Sequence, residues 1–242
     1  MQTQDDSGGI VGLYVLAHPQ KQCVTSDTLR RLGISHKVCV NRDWATPLAH
    51  AEWRTDRSWR PSQRDYALRQ YSVIRGHQEI LKYSPHAITV VMEDDITEMP
   101  AHFIDEVRRV CIKLLLPGNT SKFDAVSFHG RNLSPYTSIG RFEDREYVSL
   151  RPRLIHERAQ QEFLKPLWHT TQTVGSPLSL KWHEGCLMYA VSRTGSSLWR
   201  RNDLLAGWPC DLFLVNQLNT AVLLHSPVVH SGESLMTQPI DI

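Results

Sequence analysis

Apolar runs without helical spacing alternate along the chain with segments whose apolar residues recur at helical spacing. Residues 10–16 and 35–40 predict two strands, and residues 26–32 between them predict a short helix that Gly33 ends. A strand, a helix and a strand in succession form a βαβ unit, and that unit implies a parallel sheet. The pattern therefore predicts an α/β fold.

The rest of the chain continues this alternation. A helix begins near Ser62 and ends at Ser84, and a strand follows over residues 87–93. Further predicted elements are a helix between Pro100 and Pro117, strands at 123–128, 168–174 and 186–191, helices at 194–201 and 209–218, and an apolar segment at 221–229. Residues 132–165 have no clean periodicity, which predicts a long loop near 131–167.

Three consecutive acids follow the strand at 87–93, and they are Glu93, Asp94 and Asp95. Because burial of an uncompensated carboxylate costs several kcal/mol, we expect the strand to end at Glu93 and to deliver the acids into a crevice. Ligands bind at the carboxyl ends of strands in open α/β sheets. Three oxygen donors there suit Mn²⁺ or Mg²⁺. The alternative is a surface acidic turn that caps the next helix.

Composition narrows the class of protein. The chain has 242 residues, of which 41% are hydrophobic, and this allows one α/β domain or two small ones. A formal net charge of +2 gives no global field typical of nucleic-acid binders. Five cysteines without a CxxC pair predict reduced thiols in a cytoplasmic protein. Residues 1–9 are unlike a secretory signal, and no apolar stretch reaches membrane-spanning length.

The sequence contains neither G-x-G-x-x-G nor G-x-x-x-x-G-K-[ST], so a bound nucleotide would need a metal and side chains to neutralise its phosphates. The residues at the ends of the first two predicted strands are expected to flank its base and ribose. These donor-binding candidates are Leu16, Ala17, His18, Asn41 and Asp43.

Arginine and tryptophan residues are interleaved just before the second predicted helix, in and around residues 47–61. Such side chains clamp phosphates, stack on bases or grip a sugar ring. The alternative is a solvated loop held by aromatic anchors. Arg64, in the first turn of that helix, is a further donor-binding candidate, and an exposed arginine is its alternative.

Four sequence segments, considered together with their order along the chain, resemble those of glycosyltransferase family 25, which comprises lipopolysaccharide and collagen-type sugar transferases. The segments are residues 90–95 with the three acids, residues 185–195, residues 209–214 with Pro209-Cys210-Asp211, and residues 227–231 with His230. The resemblance is that of a distant relative. It implies a single GT-A-like (Rossmann-like) domain with a mixed, mostly parallel sheet flanked by helices. Residues 1–98 would bind the nucleotide sugar, and residues 99–242 would bind the acceptor.

The resemblance also implies a metal-dependent transfer from a nucleotide-diphosphate sugar, with UDP as the expected nucleotide. If strand geometry persists, Glu93 and Asp95 point one way and Asp94 points the other. Asp95 is then the main metal ligand, Glu93 a second or water-mediated ligand, and Asp94 lies nearer the donor ribose or sugar. His230 is a candidate third ligand, and an ordinary loop histidine is the alternative.

The inverting transfer that the resemblance implies needs a general base to deprotonate the acceptor hydroxyl. Asp211 matches the Pro-x-Asp position of the family, and Glu184 is the other candidate catalytic residue. The alternative for Asp211 is a first-turn helix acid.

Two other classes of function stay open from the sequence. One is a nucleotidyltransferase acting on a sugar phosphate, and the other is a non-catalytic relative that binds nucleotide sugars. The acceptor of a glycosyltransferase would be a glycan, a protein hydroxyl or a hydroxymethylated DNA base.

Overall fold

The computed structural model describes residues 9–19, 21–41, 64–116, 123–128, 138–142, 145–150, 187–201, 218–223 and 228–230. For residues 64–72, 138–142, 145–150, 199–201 and 230 the description covers the backbone alone. The elements in these ranges are, in chain order, β1 (Val11–Ala17), α1 (Val24–Arg31), β2 (Lys37–Val40), α2 (Arg64–Tyr83), β3 (Ile88–Glu93), β4 (Ile96–Glu98), α3 (Phe103–Leu115), β5 (Ala125–Ser127), β6 (Ser138–Phe142), β7 (Arg145–Leu150), β8 (Met188–Ser192), α4 (Arg193–Arg201), β9 (Thr220–Leu223) and β10 (Val229–His230).

Eight of the described strands form one sheet, in the order β2-β1-β3-β8-β5-β9-β7-β6. β1 is parallel to β2 and β3, and β5 is parallel to β9, whereas the other neighbours are antiparallel. β7 and β8 therefore run against the remaining six strands of the sheet. This arrangement confirms the predicted α/β fold with a mixed, mostly parallel sheet flanked by helices.

Helices cover both faces of the central strands. Because alternate residues of a strand point to opposite faces, each face has its own set of buried side chains. One set shares a core cluster with α3 and with Leu29 of α1, and it contains Leu13, Val15, Val90 and Met92. The opposite face packs against α2, which also contacts α4. There the buried His77 of α2 is hydrogen-bonded to the hydroxyl of Tyr189 in β8.

The first helix begins earlier than predicted. Residues Ser26 and Asp27 were expected to open it, but α1 starts at Val24 and both residues lie inside it. Ser26 Oγ lies 2.8 Å from His36 Nε2 and does not cap the helix, and the N-cap residue Cys23 makes no capping hydrogen bond with its side chain. Gly33 ends the helix as predicted, with a left-handed φ of 69°.

The segment near 131–167, predicted to be a long loop, contains two strands in its first half. Residues 138–150 contain β6 and β7, which pair with each other in antiparallel fashion. β7 also pairs with β9, so its backbone groups are hydrogen-bonded within the main sheet. The polar sequence of this segment has no periodicity that would predict a strand. The rest of that predicted loop lies outside the described residues, as do the predicted strand at 168–174 and all but the last residue of the predicted helix at 209–218.

Among the helices that the structure describes, none has the length and apolar character needed to cross a membrane.

Candidate functional site

The acidic turn, which we define as Glu93, Asp94 and Asp95, lies at the carboxyl end of β3. The strand ends at Glu93, as the sequence predicts, and Asp94 and Asp95 form the turn that leads into β4. Leu16 at the end of β1 is the register partner of Glu93. The acids therefore lie at the edge where two parallel strands end, which is the position that α/β sheets use for ligands.

The predicted orientation of the three carboxylates is not supported, because its premise fails. The expectation that Glu93 and Asp95 point together requires an extended chain, and extended geometry stops at Glu93. Asp94 instead turns toward the end of β1, where its Oδ2 accepts a hydrogen bond of 2.6 Å from the backbone amide of His18. Asp94 is thus bound to the strand end that was predicted to flank the donor.

The last described strand brings a residue from far along the chain to this turn. β10 pairs with β4 in antiparallel fashion, and His230 is the register partner of Ile96, the residue after Asp95. Thr97 Oγ1 also donates to Val229 O at 3.2 Å. The backbone of His230 therefore lies beside the acidic turn, although the two are widely separated in sequence.

The donor-binding candidates at the ends of β1 and β2 also lie together. The backbone amide of Asn41 donates to Ala17 O at 2.7 Å, which joins the two strand ends. Leu16, Ala17 and Asn41 are buried. His18, half-buried, lies at the edge next to Asp94.

Some predicted site residues fall where the structure gives no side chain. Arg64 is the first residue of α2, and the structure describes its backbone only. Asp43, Glu184 and Asp211 lie outside the described residues. The part of the candidate site that the structure brings together is therefore the acidic turn, the ends of β1 and β2, and the backbone of His230.

The acidic turn brings three carboxylates to this edge. Burial raises the pKa of the nearby Cys23 thiol, and the negative charge of Asp94 raises it as well. The thiol of Cys23 therefore stays protonated at neutral pH. Among the described side chains, no group of three His, Cys, Asp or Glu residues is arranged to hold a metal ion. Two carboxylates with substrate phosphates suffice for Mg²⁺ or Mn²⁺, so the donors of the acidic turn fit such an ion chemically.

A residue that sequence reasoning missed is Thr25, in the first turn of α1. It is fully buried and is hydrogen-bonded to the acidic turn. No sequence motif marks it, because its partners come from a different strand and are backbone groups.

Comparison with known proteins adds no assignment: no family model matches the chain, and no curated protein matches its sequence.

Proposed function

We propose that the chain is a metal-dependent glycosyltransferase with a GT-A-like fold, which transfers a sugar from a UDP-sugar to an acceptor hydroxyl with inversion. The observation that carries this proposal is a convergence at one edge of the sheet. The acidic turn follows β3, the end of β1 is bonded to Asp94, and β10 runs beside Ile96. A carboxylate-rich edge at the ends of parallel strands is suited to a nucleotide diphosphate with its metal.

The acidic turn and His230 are the proposed metal-binding residues. Asp95 and Glu93 would supply oxygen ligands, and His230 would supply an imidazole nitrogen. A bound Mn²⁺ or Mg²⁺ would act as a Lewis acid for the departing diphosphate. Asp94, which holds the end of β1 through His18, would keep the donor-binding edge next to these ligands.

The acceptor half is proposed to supply the general base. Asp211 is the first candidate, because it matches the Pro-x-Asp position of the family. Glu184 is the second candidate, because it is a carboxylate just before the predicted strand at 186–191. Loss of a general base lowers kcat by about 10²–10⁴-fold. Asp211→Asn is expected to show such a loss with unchanged donor affinity, whereas Glu184→Gln is expected to have a mild effect. The opposite result would exchange the two roles.

The acceptor is a hydroxyl group on a glycan, a protein or a hydroxymethylated DNA base. The first experiment therefore concerns the donor. A panel of nucleotide sugars would be screened by thermal shift with and without Mn²⁺, and then assayed for hydrolysis. We expect a UDP-sugar to raise the melting temperature more strongly with Mn²⁺ than without it, and to be hydrolysed slowly.

Two variants make this experiment specific. Asp95→Asn should remove the Mn²⁺-dependent part of the shift, and Glu98→Gln, at an exposed acid in the neighbouring β4, should leave it intact. Full activity in EDTA would overturn the metal requirement. Release of pyrophosphate from a nucleoside triphosphate and a sugar phosphate would indicate a nucleotidyltransferase, and binding without turnover would indicate a non-catalytic relative.

A further inference from the structure

Thr25 is hydrogen-bonded to the acidic turn on both sides of Asp95. Its Oγ1 donates to Glu93 O at 2.6 Å and accepts from the backbone amide of Ile96 at 2.9 Å. Its own backbone amide donates to Asp94 O at 3.3 Å. One threonine therefore contacts the residue before Asp94, Asp94 itself, and the residue after Asp95.

This arrangement uses the hydroxyl of Thr25 both as a donor and as an acceptor. The side chain is fully buried, so water does not compete for either bond. Because the two partners are the backbone carbonyl of Glu93 and the backbone amide of Ile96, the hydroxyl bridges the two residues that flank Asp94 and Asp95. Asp95 lies in the segment whose ends are held in this way, and its position depends on them.

The opposite side of the turn is held by the sheet. The backbone amide of Glu93 donates to Leu187 O at 2.9 Å, and β4 continues into its pairing with β10. Thr25 is thus a contact through which α1, a separate element, holds the turn. Groups that orient metal ligands from outside the coordination sphere typically change metal affinity about 10–100-fold when they are removed.

We propose that Thr25 is a positioning residue for the acidic turn, whose hydroxyl fixes the backbone on either side of Asp94 and Asp95 and thereby the position from which the Asp95 carboxylate would bind a divalent cation. This inference rests on the proposed metal-dependent function. Thr25 itself touches neither metal nor substrate, and it acts through the backbone of the turn.

The test compares Thr25→Val, which removes the hydroxyl at nearly constant volume, with Thr25→Ser, which retains it. Thr28→Val is the matched control, because Thr28 is a buried threonine one turn later in α1 whose Oγ1 lies 3.5 Å from Thr97 O, beyond the acidic turn. The Mn²⁺ affinity of each variant is measured by electron paramagnetic resonance in the presence of UDP. We expect Thr25→Val to bind Mn²⁺ about 10-fold more weakly, and Thr25→Ser and Thr28→Val to bind within about 3-fold of the parent.

A second measurement is independent of the metal. Amide hydrogen exchange at Asp95 and Ile96 should accelerate in Thr25→Val and stay unchanged in Thr28→Val, because only the former releases the turn. Equal Mn²⁺ affinity in Thr25→Val and the parent would overturn the role of Thr25 while leaving the proposed function intact. Equal losses in Thr25→Val and Thr28→Val would also overturn it, since they would reflect general destabilisation.

The remaining outcomes are equally decisive. If the parent itself fails to bind Mn²⁺ with UDP, the metal role in the proposed function fails, and the positioning role fails with it. If Thr25→Val does not fold, Thr25→Ser decides: parent-like Mn²⁺ affinity supports the hydroxyl, and a 10-fold loss despite the retained hydroxyl overturns it.

Discussion

The backbone amide of His18 donates a hydrogen bond of 2.6 Å to Asp94 Oδ2, and this bond joins the chain after β1 to the turn after β3. The two strands are parallel neighbours, so both chains leave the sheet at the same edge. A carboxylate that accepts an amide hydrogen bond forms a stronger bond than a neutral oxygen does. Asp94 therefore stabilises the geometry of the edge, whatever it also contacts in a donor complex.

We expect Asp94→Ala to lower the free energy of unfolding by about 1–2 kcal/mol, because a hydrogen bond to a charged group contributes about 1.5–3 kcal/mol and solvent weakens it at a partly exposed site. Asp94→Asn, which keeps an oxygen acceptor, should lower the free energy of unfolding less than Asp94→Ala does. Urea unfolding measures both. Asp105→Ala is the control, because Asp105 is 81% exposed and its ion pair with Arg108 spans 3.5 Å. Equal stability of the Asp94 and Asp105 variants would contradict the role of the His18 bond.

The hydrogen bond between His77 and Tyr189 is predicted to stabilise the contact of α2 with the sheet. His77 Nδ1 lies 2.7 Å from the Tyr189 hydroxyl, and both residues are fully buried. Tyr189→Phe should therefore lower the free energy of unfolding by about 1–3 kcal/mol, since it removes one partner of a buried polar pair. Denaturant unfolding provides the measurement.

Tyr14→Phe is the matched control for Tyr189→Phe. Tyr14 is buried on the same face, where its ring packs edge-on to His86, and within the described part of the chain its hydroxyl makes no hydrogen bond. Loss of the Tyr14 hydroxyl should change the free energy of unfolding little. If both variants lost the same stability, the effect would come from the aromatic packing and not from the His77 bond.

Hydrophobic patterning predicted the central elements because their burial is strong. β3 is buried on both faces and ends at an acid, and α3 buries one apolar stripe, so each has an unambiguous pattern. The position of the acidic turn at the sheet edge followed from the cost of burying carboxylates. The predicted α/β class and the strand end at Glu93 are both confirmed on these grounds.

Pairing between distant segments could not be predicted in the same way. β4 and β10 have three and two residues, so they carry too little pattern to indicate that they meet. The orientation of Asp94 depends on the neighbouring end of β1, and the role of Thr25 depends on backbone partners in another element. Such details arise from tertiary contacts, which a local pattern does not encode.

Cys111 is predicted to be unreactive in the folded protein. It is completely buried, and burial raises the pKa of its thiol far above the ordinary value. Because the thiolate is the reactive form, iodoacetamide should label Cys111 only after unfolding in urea. Cys23 and Cys39 are partly exposed and should react first, although burial raises the pKa of each of them too. Mass spectrometry of the labelled peptides distinguishes the three.

The raised pKa of Cys111 also gives a pH dependence with a definite sign. The unfolded thiol loses its proton at a lower pH than the folded thiol, so its contribution to stability is complete below the unfolded pKa. That contribution decreases as the pH rises above about 9. Cys111→Ala should therefore lose stability less steeply than the parent at alkaline pH. Parallel profiles of the two proteins in urea unfolding would contradict this prediction.

Gly76→Ala is predicted to destabilise the fold, although alanine is the better helix former. Gly76 lies in α2 against the ends of β1 and β2, and an added Cβ would lie 2.6 Å from Leu16 Cδ1 and 2.7 Å from Asn41 Oδ1. Overpacking of this kind costs about 1–3 kcal/mol, and the gain in helix propensity is about 1 kcal/mol. We therefore expect a net loss of up to about 2 kcal/mol, measured by urea unfolding.

A double-mutant cycle tests whether this close approach is the cause. Asn41→Ala removes one of the two side chains that the new methyl group meets, so Gly76→Ala should cost less in that background than in the parent. Leu16 stays in place, and part of the loss should therefore remain. A Gly76→Ala protein more stable than the parent would mean that Leu16 and Asn41 move aside at no cost, and that the edge formed by β1, β2 and α2 is loosely packed.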